Sequence, residues 1–163
     1  PELFSKQKIV FPKISRKVGF TLDPSGHYCL DSCRFIRSSS PYLLGILNSR
    51  LISFFIRQTV PPFRGEYRRF YGRHFENIPI FVPDFDDPRD TSRHDSLEAL
   101  VLQMIGTQKI AAKTGDVPEK GRCREQIREL DQQIDTIVCD LYSLTPEERL
   151  VMQRETAGRE PSR

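Results

Sequence analysis

The residues best suited to chemistry lie in one short segment, residues 57–73, where arginines and aromatic side chains are interleaved. The segment reads RQTVPPFRGEYRRFYGR and sets five arginines against a single acid, Glu66. Guanidinium groups bind phosphate bidentately and read the edge of guanine, while aromatic rings stack on bases. The pattern is typical of a nucleic-acid contact. Composition alone fits equally well a set of core phenylalanines with a solvated rim of arginines.

The charge of the 163-residue chain is divided unevenly between its two halves. Residues 1–83 contain 13 Lys and Arg against 5 Asp and Glu, and residues 84–163 contain 12 against 17. The net charge of +3 therefore hides a basic first half and an acidic second half. Such an asymmetry favours a nucleic-acid contact on the first half. The alternative is that the basic residues are scattered and merely solvated.

Signals for catalysis or metal binding are weak along the whole chain. Three acids in the stretch DFDDP (84–88) and Glu98 could suggest a metal-dependent nuclease, but an acidic, proline-bounded segment is most simply solvated. The sequence holds no Gly-rich nucleotide loop, no HExxH and no GxSxG. We therefore assign no catalytic residue and no metal ligand, and we leave open whether this chain has any activity alone.

The composition limits the class of protein. No run approaches the ~20 apolar residues of a membrane span, and the N-terminus lacks a signal-peptide pattern. The four cysteines match no zinc-site spacing, so we expect reduced thiols in a cytoplasmic protein. Because the chain begins at Pro1 and not at Met, we expect it to be part of a longer protein.

Periodicity predicts an α+β fold. Residues 7–37 are expected to form a small, antiparallel-rich sheet, because residues 17–23 put Val18, Phe20 and Leu22 on one face. A Ser-Pro start predicts a central apolar helix over residues 42–57 that packs on this sheet, with Gly45 allowing close approach. The prolines of residues 78–83 favour an edge strand or a polyproline-like segment.

The second half is expected to be helical. Residues 97, 100, 101, 104 and 105 are apolar at helical spacing, and a second seam runs from residue 127 to residue 141. A short connection favours an antiparallel helical hairpin, and Thr145 with Glu148 predicts a capping box that opens a short last helix. We divide the chain into a basic core (1–83), an acidic linker (84–95), the helical hairpin with the capped helix (96–156) and a frayed tail (157–163).

Seven stretches of the sequence, taken in order, resemble a known family. They are KIVFPKI (8–14), GFTLD (19–23), GHY (26–28), YLLGILNSRLISFF (42–55), RGEYRRF (64–70), FENIPI (75–80) and IDTIVCDLYSLTPEE (134–148). The ordered set resembles the C-terminal target-recognition domain of TaqI-like N6-adenine DNA methyltransferases, which include the Eco57I-type (type IIG) restriction–modification enzymes. One departure is Ser143, which stands where the family usually has glycine before leucine.

The resemblance implies a module that holds double-stranded DNA and selects its sequence in a prokaryotic cytoplasm. The S-adenosylmethionine site and the Asn-Pro-Pro-Tyr-type catalytic motif of such enzymes belong to a separate N-terminal methyltransferase domain, and neither that motif nor a Gly-rich methyl-donor loop occurs in this sequence. No cofactor is expected in this chain, and no membrane contact. A nuclease domain, if the parent protein has one, would also lie upstream.

The resemblance turns the Arg-aromatic segment into a set of DNA-contact candidates, with a second phosphate-contacting edge near the N-terminus. The candidates are Arg64, Tyr67, Arg68, Arg69 and Arg73, joined by Lys13, Arg16 and Lys17, with Lys6 and Lys8 as weaker members of the second edge. Arg50 and Arg57 are expected to be structural. Changing Arg68 and Arg69 together to alanine is expected to weaken DNA binding and flatten its salt dependence.

Two other functions stay open at this stage. One is a fragment of a type I restriction specificity subunit, in which the helical pair would be a spacer and a docking site for methylation subunits. The expected shortness of the helices and the lack of a second recognition repeat argue against it. The other is a protein-interaction module that uses the acidic helical hairpin. An autonomous nuclease lacks the carboxylate cluster with lysine on a strand that it would need.

Overall fold

The protein, here a computed structural model, is described over residues 6–17 and 19–157. Two three-stranded antiparallel sheets and six helices make up this part of the chain. The strands are β1 (Lys8–Pro12), β2 (Ile14–Ser15), β3 (Thr21–Asp23), β4 (Cys33–Ile36), β5 (Pro62–Arg64) and β6 (Tyr67–Arg69). The helices are α1 (Pro41–Asn48), α2 (Arg50–Thr59), α3 (Gly72–Glu76), α4 (Pro88–Lys113), α5 (Val117–Leu141) and α6 (Pro146–Ala157). The predicted α+β class is confirmed.

The first sheet has the strand order β3-β1-β4, with β1 antiparallel to both neighbours. Its central strand is buried, and Ile9 is fully enclosed. The antiparallel sheet predicted for residues 7–37 is therefore confirmed. Phe20 and Leu22 pack into the core as the period-two pattern predicts, whereas Val18, the third residue of that pattern, lies outside the described residues.

The second sheet has the order β2-β6-β5 and joins two distant parts of the sequence. Ile14 pairs with Arg69 and Ser15 with Arg68. Strands β5 and β6 form a hairpin with an irregular register at residue 63. Its two-residue turn has Gly65 in the left-handed region, with φ of 54°, as a type II′ turn requires at its first central position. The sequence alone did not predict this sheet.

The central helix predicted over residues 42–57 is two helices. Ser49 breaks it with an extended backbone, φ −62° and ψ 156°, and serves as the C-cap of α1 and the N-cap of α2. Its hydroxyl accepts from the N–H of Ile52 at 3.3 Å, which satisfies a free donor at the start of α2. The expectation of one helix was wrong because the apolar pattern continues through the break, and only the serine marks it.

Helices α4 and α5 form the expected amphipathic pair, joined by residues 114–116. Gly45 of α1 packs against α4: a Cβ at this position would lie 2.7 Å from Val101 Cγ2 and 3.1 Å from Leu97 Cδ1. The close approach predicted for Gly45 is therefore to a helix and not to a sheet. Residues of both halves, such as Ile46 and Val138, belong to one hydrophobic cluster, so the proposed division at residue 83 stays a prediction.

The acidic segment at residues 84–95 is mostly helix. Asp87 caps α4 by accepting from the N–H of Arg89 at 2.8 Å, and Pro88 fits the first turn. Residues 88–95 are therefore the first turns of α4 and not a linker, because the capping signal overrides the polar composition. Residues 78–83 form no strand. Tyr142 and Tyr42 hold them, since their hydroxyls donate to the carbonyls of Pro79 and Phe81.

Helix α6 begins with the predicted capping box. The N–H of Glu148 donates to Thr145 Oγ1 at 3.3 Å, and the N–H of Thr145 donates to Glu148 Oε2 at 2.9 Å. The helix continues to Ala157. Most of the tail predicted for residues 157–163 falls on 158–163, which lie outside the described residues.

Ser143 occupies a left-handed position just after α5, with φ of 53°. The N–H of Leu144 donates to the carbonyl of Cys139 at 3.0 Å, which closes the helix end. A side chain in this conformation costs about 1 kcal/mol that glycine does not. We expect Ser143→Gly to raise the free energy of unfolding by about 0.5–1 kcal/mol, measured by urea denaturation. An unchanged or lower stability would contradict this account of the turn.

A buried ion pair joins β1 to β3. Lys8 and Asp23 face each other in the register, and Lys8 Nζ donates to Asp23 Oδ2 at 2.6 Å with 1% and 6% of the side chains exposed. Asp23 also accepts from the ring of His27 at 2.8 Å. The hydrogen bond from Lys8, and next that from His27, hold the pKa of Asp23 well below its usual range.

This ion pair predicts a pH-dependent contribution to stability. Because the pKa of Asp23 is lower in the folded state, its contribution is present above the unfolded pKa of about 3.9 and is lost as pH falls below it. We expect Asp23→Asn to be much less stable than wild type at pH 7 and the difference to shrink below about pH 4. Urea titrations across this range test it, with the exposed Asp86→Asn as the control. A difference that does not change with pH would contradict the assignment.

Candidate nucleic-acid interface

The second sheet presents an exposed face on which basic and aromatic side chains meet. Residues directly opposite each other in antiparallel strands share a face, and neighbours along a strand alternate. Ile14 and Arg69 therefore point to the same side as Tyr67, and Arg16 follows on that side. We call this side the outer face. Ile14 and Tyr67 are 40% and 42% exposed, so the described part of the chain leaves this face open to solvent at these two residues.

Arginines on the outer face stack on aromatic rings. The Arg69 guanidinium lies 3.9 Å from the centre of the Phe63 ring, and Arg64 lies 5.4 Å from the same ring. The Arg16 guanidinium lies 5.1 Å from the centre of Tyr67. Stacking uses the flat face of the guanidinium and fixes its direction. The N–H groups at the edge of a stacked guanidinium can still bind a phosphate, although the Nε atom of Arg69 is buried and has no hydrogen-bond partner within the described residues.

The outer face continues beyond β6 through Tyr71 and Arg73. Arg69 Nη1 donates to the Tyr71 hydroxyl at 3.4 Å, and the Arg73 guanidinium lies 5.2 Å from the Tyr71 ring. The hydrogen bond from Arg69, with the charges of Arg73 and Lys13, lowers the pKa of Tyr71. Three cationic groups, Arg69, Arg73 and Lys13, therefore surround the Tyr71 phenol, which favours an anionic ligand.

Arg68 points to the other side of the sheet. Its guanidinium donates to the carbonyl of Val60, the residue that ends α2. It lines a small cavity together with Ser53, Ile56 and Phe70, and its side chain is half-buried. The hydrogen bond from Arg68 thus joins the β5–β6 hairpin to the end of α2. Arg68 and Arg69 therefore differ in role as well as in the side of the sheet to which they point.

The basic residues of the N-terminal edge also differ in their surroundings. Lys13 Nζ pairs with Asp31 at 2.7 Å, and Asp31 is 86% exposed, so a stronger anion could compete for the lysine. Lys8 is buried in its ion pair and is not available to DNA. Lys17 is exposed, but it also lines the cleft between β3 and α4. Pairing of β2 with β6 brings Arg16 alone onto the outer face beside Tyr67.

Arg50 and Arg57 hold the helices together, as expected. Arg50 Nε lies 2.9 Å from Asp135 Oδ2 of α5, and the N–H of Arg50 donates to Asp135 Oδ1 at 2.8 Å. Arg57 Nη1 donates to the carbonyl of Glu155 in α6 at 3.3 Å. Both arginines therefore join α2 to the C-terminal helices.

The outer face contains three residues that the sequence did not single out as contacts. Phe63 and Tyr71 serve as stacking platforms for arginines, and Ile14 is exposed beside Arg69. The period-two alternation of β6 could have shown that residues 67 and 69 share a face and that 68 does not. The pairing of β2 with β6 gives no comparable signal in the sequence, because it joins segments about 50 residues apart.

Comparison with known families identifies the part of the chain that carries this face. The family model of the TaqI-like C-terminal specificity domain matches residues 1–80. These residues, 80 of the 163 in the chain, are similar to that domain. The match covers both sheets and the helices α1 to α3, including the whole outer face. No curated protein matches the chain at a significant level.

The match to the TaqI-like specificity domain supports a DNA-recognition module of a restriction–modification enzyme.

Two further observations concern the cysteines and possible metal ligands. Cys29, Cys33, Cys123 and Cys139 are free thiols. Across residues 6–17 and 19–157, no group of three or more His, Cys, Asp or Glu is arranged to hold a metal ion. Within the same residues, no helix is both long and apolar enough to cross a membrane.

Proposed function

We propose that this chain binds double-stranded DNA through the outer face of its second sheet and selects the sequence on which a methyltransferase acts. The observation that carries the proposal is the set of stacked arginines, Arg16, Arg64 and Arg69, on an exposed face that lies within the specificity-domain match. Preoriented guanidinium groups suit phosphates and guanine edges, and the neighbouring tyrosines suit stacking or sugar contacts.

The finer parts of the proposal concern the parent protein. We propose that it is an S-adenosylmethionine-dependent N6-adenine DNA methyltransferase of the type IIG kind, in the cytoplasm of a prokaryote. Its N-terminal domain would bind the methyl donor, flip out the adenine and methylate it. The resemblance of residues 8–80 and 134–148 to the family supports this division of labour.

The helical pair gives some support to a second candidate function, a fragment of a type I restriction specificity subunit. Helices α4 and α5 have 26 and 25 residues, about 39 Å and 38 Å at 1.5 Å per residue, so the expected shortness of these helices was wrong. Helices of this length fit the spacer of a type I specificity subunit better than short ones would. The TaqI-like match to residues 1–80 favours the first proposal.

Binding to a pool of random duplex DNA tests the proposal. The full chain is incubated with the pool at low and at moderate salt, and the retained DNA is sequenced. We expect salt-sensitive binding with enrichment of a short motif. For the chain without its catalytic partner, affinity can fall towards the non-specific range of about 10⁻⁴–10⁻⁶ M. No binding at low salt would contradict a DNA-contact function and favour a protein-interaction module.

A further inference from the structure

Glu66 is the single acid in an otherwise basic surface. It follows Gly65 at the tip of the β5–β6 hairpin, and its side chain is exposed. The segment 57–73 around it contains five arginines. Within the described residues, none of them forms an ion pair with Glu66.

The arginines around the hairpin make other contacts. Arg64 and Arg69 lie over the Phe63 ring, Arg16 lies over Tyr67, and Arg68 donates to the carbonyl of Val60. None of these arginines pairs with Glu66, so the oxygens of its side chain remain available as hydrogen-bond acceptors at the end of the hairpin. Glu66 lies in a two-residue turn in which the preceding residue, Gly65, has the left-handed conformation.

A carboxylate without an ion-pair partner is unfavourable on a surface whose only role is to bind phosphates. Like charges repel, and a carboxylate near a phosphate weakens binding to every sequence equally. The same group becomes favourable where it meets a hydrogen-bond donor. On duplex DNA such donors are the exocyclic amino groups in the major groove, and the N4 amino group of cytosine pairs with Glu in this way.

The shape of the hairpin fits this position. A two-stranded ribbon fits the major groove, which is about 12 Å wide. When such a hairpin enters the groove with its turn first, the residue at the tip lies nearest to the base edges. In this orientation the arginines on the adjoining strands lie beside the phosphates that line the groove. The tip residue thus meets bases while its neighbours meet the backbone.

We propose that Glu66 is a specificity-determining residue that accepts a hydrogen bond from the N4 amino group of a cytosine in the major groove. This inference rests on the proposed DNA contact of the outer face. Glu66 weakens binding to DNA that lacks the cytosine at that position and strengthens binding to DNA that has it.

Three substitutions test the role of Glu66 in the full chain with the random duplex pool. In wild type, the retained motif contains a fixed C·G pair. With Glu66→Ala, binding to the pool is equal or stronger, but enrichment of that pair falls about tenfold or more. With Glu66→Gln, preference at that position moves to adenine, because an amide pairs with N6 and N7 of adenine. The control Glu76→Gln, an exposed acid of α3, keeps the wild-type motif.

The outcomes separate this inference from the proposed function. If both Glu66 variants retain the wild-type motif, or if wild type enriches no base at any position, Glu66 does not read a base. If Arg16→Ala with Arg69→Ala leaves affinity unchanged, the outer face does not bind DNA and the proposed function fails with the inference. Loss of the C·G preference in Glu66→Ala, together with salt-sensitive binding, supports both.

Discussion

Replacing Arg16 and Arg69 together by alanine is expected to lower the affinity for duplex DNA roughly 30-fold or more at low salt. Both guanidinium groups stack on exposed rings of the outer face, Arg16 on Tyr67 and Arg69 on Phe63. Each lost phosphate contact removes about 0.9 from the slope of log affinity against log salt, so we expect the slope to fall by about 2. Fluorescence anisotropy with labelled duplex DNA at several salt concentrations measures both quantities.

Two control variants separate a local contact from net charge and from stability. Arg122→Ala with Arg124→Ala removes the same charge from exposed positions of α5 and is expected to change affinity much less. Arg68→Ala removes the hydrogen bond to Val60, so we expect it to lower the free energy of unfolding and to leave the salt slope nearly unchanged. Equal losses of affinity in both double variants would show that only net charge matters.

Arg68 illustrates how the structure changes the experiment suggested by the sequence. The adjacent pair Arg68 and Arg69 looks like one basic unit in the sequence, and a double alanine variant of these residues follows naturally from it. In the sheet they point to opposite sides, so that variant would combine lost DNA contact with lost stability. Arg16 and Arg69, far apart in the sequence, are the pair that the outer face brings together.

Gly45→Leu is expected to destabilise the protein by about 2–3 kcal/mol. A Cβ at position 45 would already lie 2.7 Å from Val101 Cγ2, and α1 is pressed against α4 at this point. The gain in helix propensity over glycine, about 1 kcal/mol, is smaller than the cost of overpacking a leucine into this contact. Chemical denaturation followed by circular dichroism measures the change.

A matched glycine provides the control for this packing contact. Gly106 lies within α4, and a Cβ at that position would meet nothing within 4 Å. Gly106→Ala is therefore expected to be neutral or to raise the stability by up to about 1 kcal/mol. If Gly45→Leu is as stable as wild type, α1 and α4 are not in close contact, and the conclusion that the two halves share one hydrophobic core is contradicted.

The sequence predicts the elements with short-range signals best. The amphipathic seam at Leu97 and Val101, the capping box at Thr145 and Glu148, and the first antiparallel sheet are all confirmed. Each depends on contacts between near neighbours, which leave a periodic or capping pattern in the sequence. The left-handed conformation of Ser143 falls at the residue where the family resemblance had shown a departure from glycine.

The features that the sequence missed depend on distant contacts or on a competing local signal. The helix break at Ser49 was hidden by the continuous apolar pattern around it, and the start of α4 at Pro88 was hidden by its acidic surroundings. The second sheet joins β2 to β6 across about 50 residues, and no periodicity marks such a pairing. The residue types in the sequence were therefore enough to select the candidate DNA-contact residues. Only the structure shows which of them lie together on the outer face.

The central claim is that the outer face of the second sheet meets duplex DNA, and a map of backbone amide shifts tests it most directly. The ¹⁵N-labelled chain is titrated with duplex DNA at low salt. We expect the largest shifts in β2, in the β5–β6 hairpin and in residues 71–73, with small changes along the exposed sides of α4 and α5. Shifts concentrated on α4 and α5, or no shifts at saturating DNA, would contradict the claim.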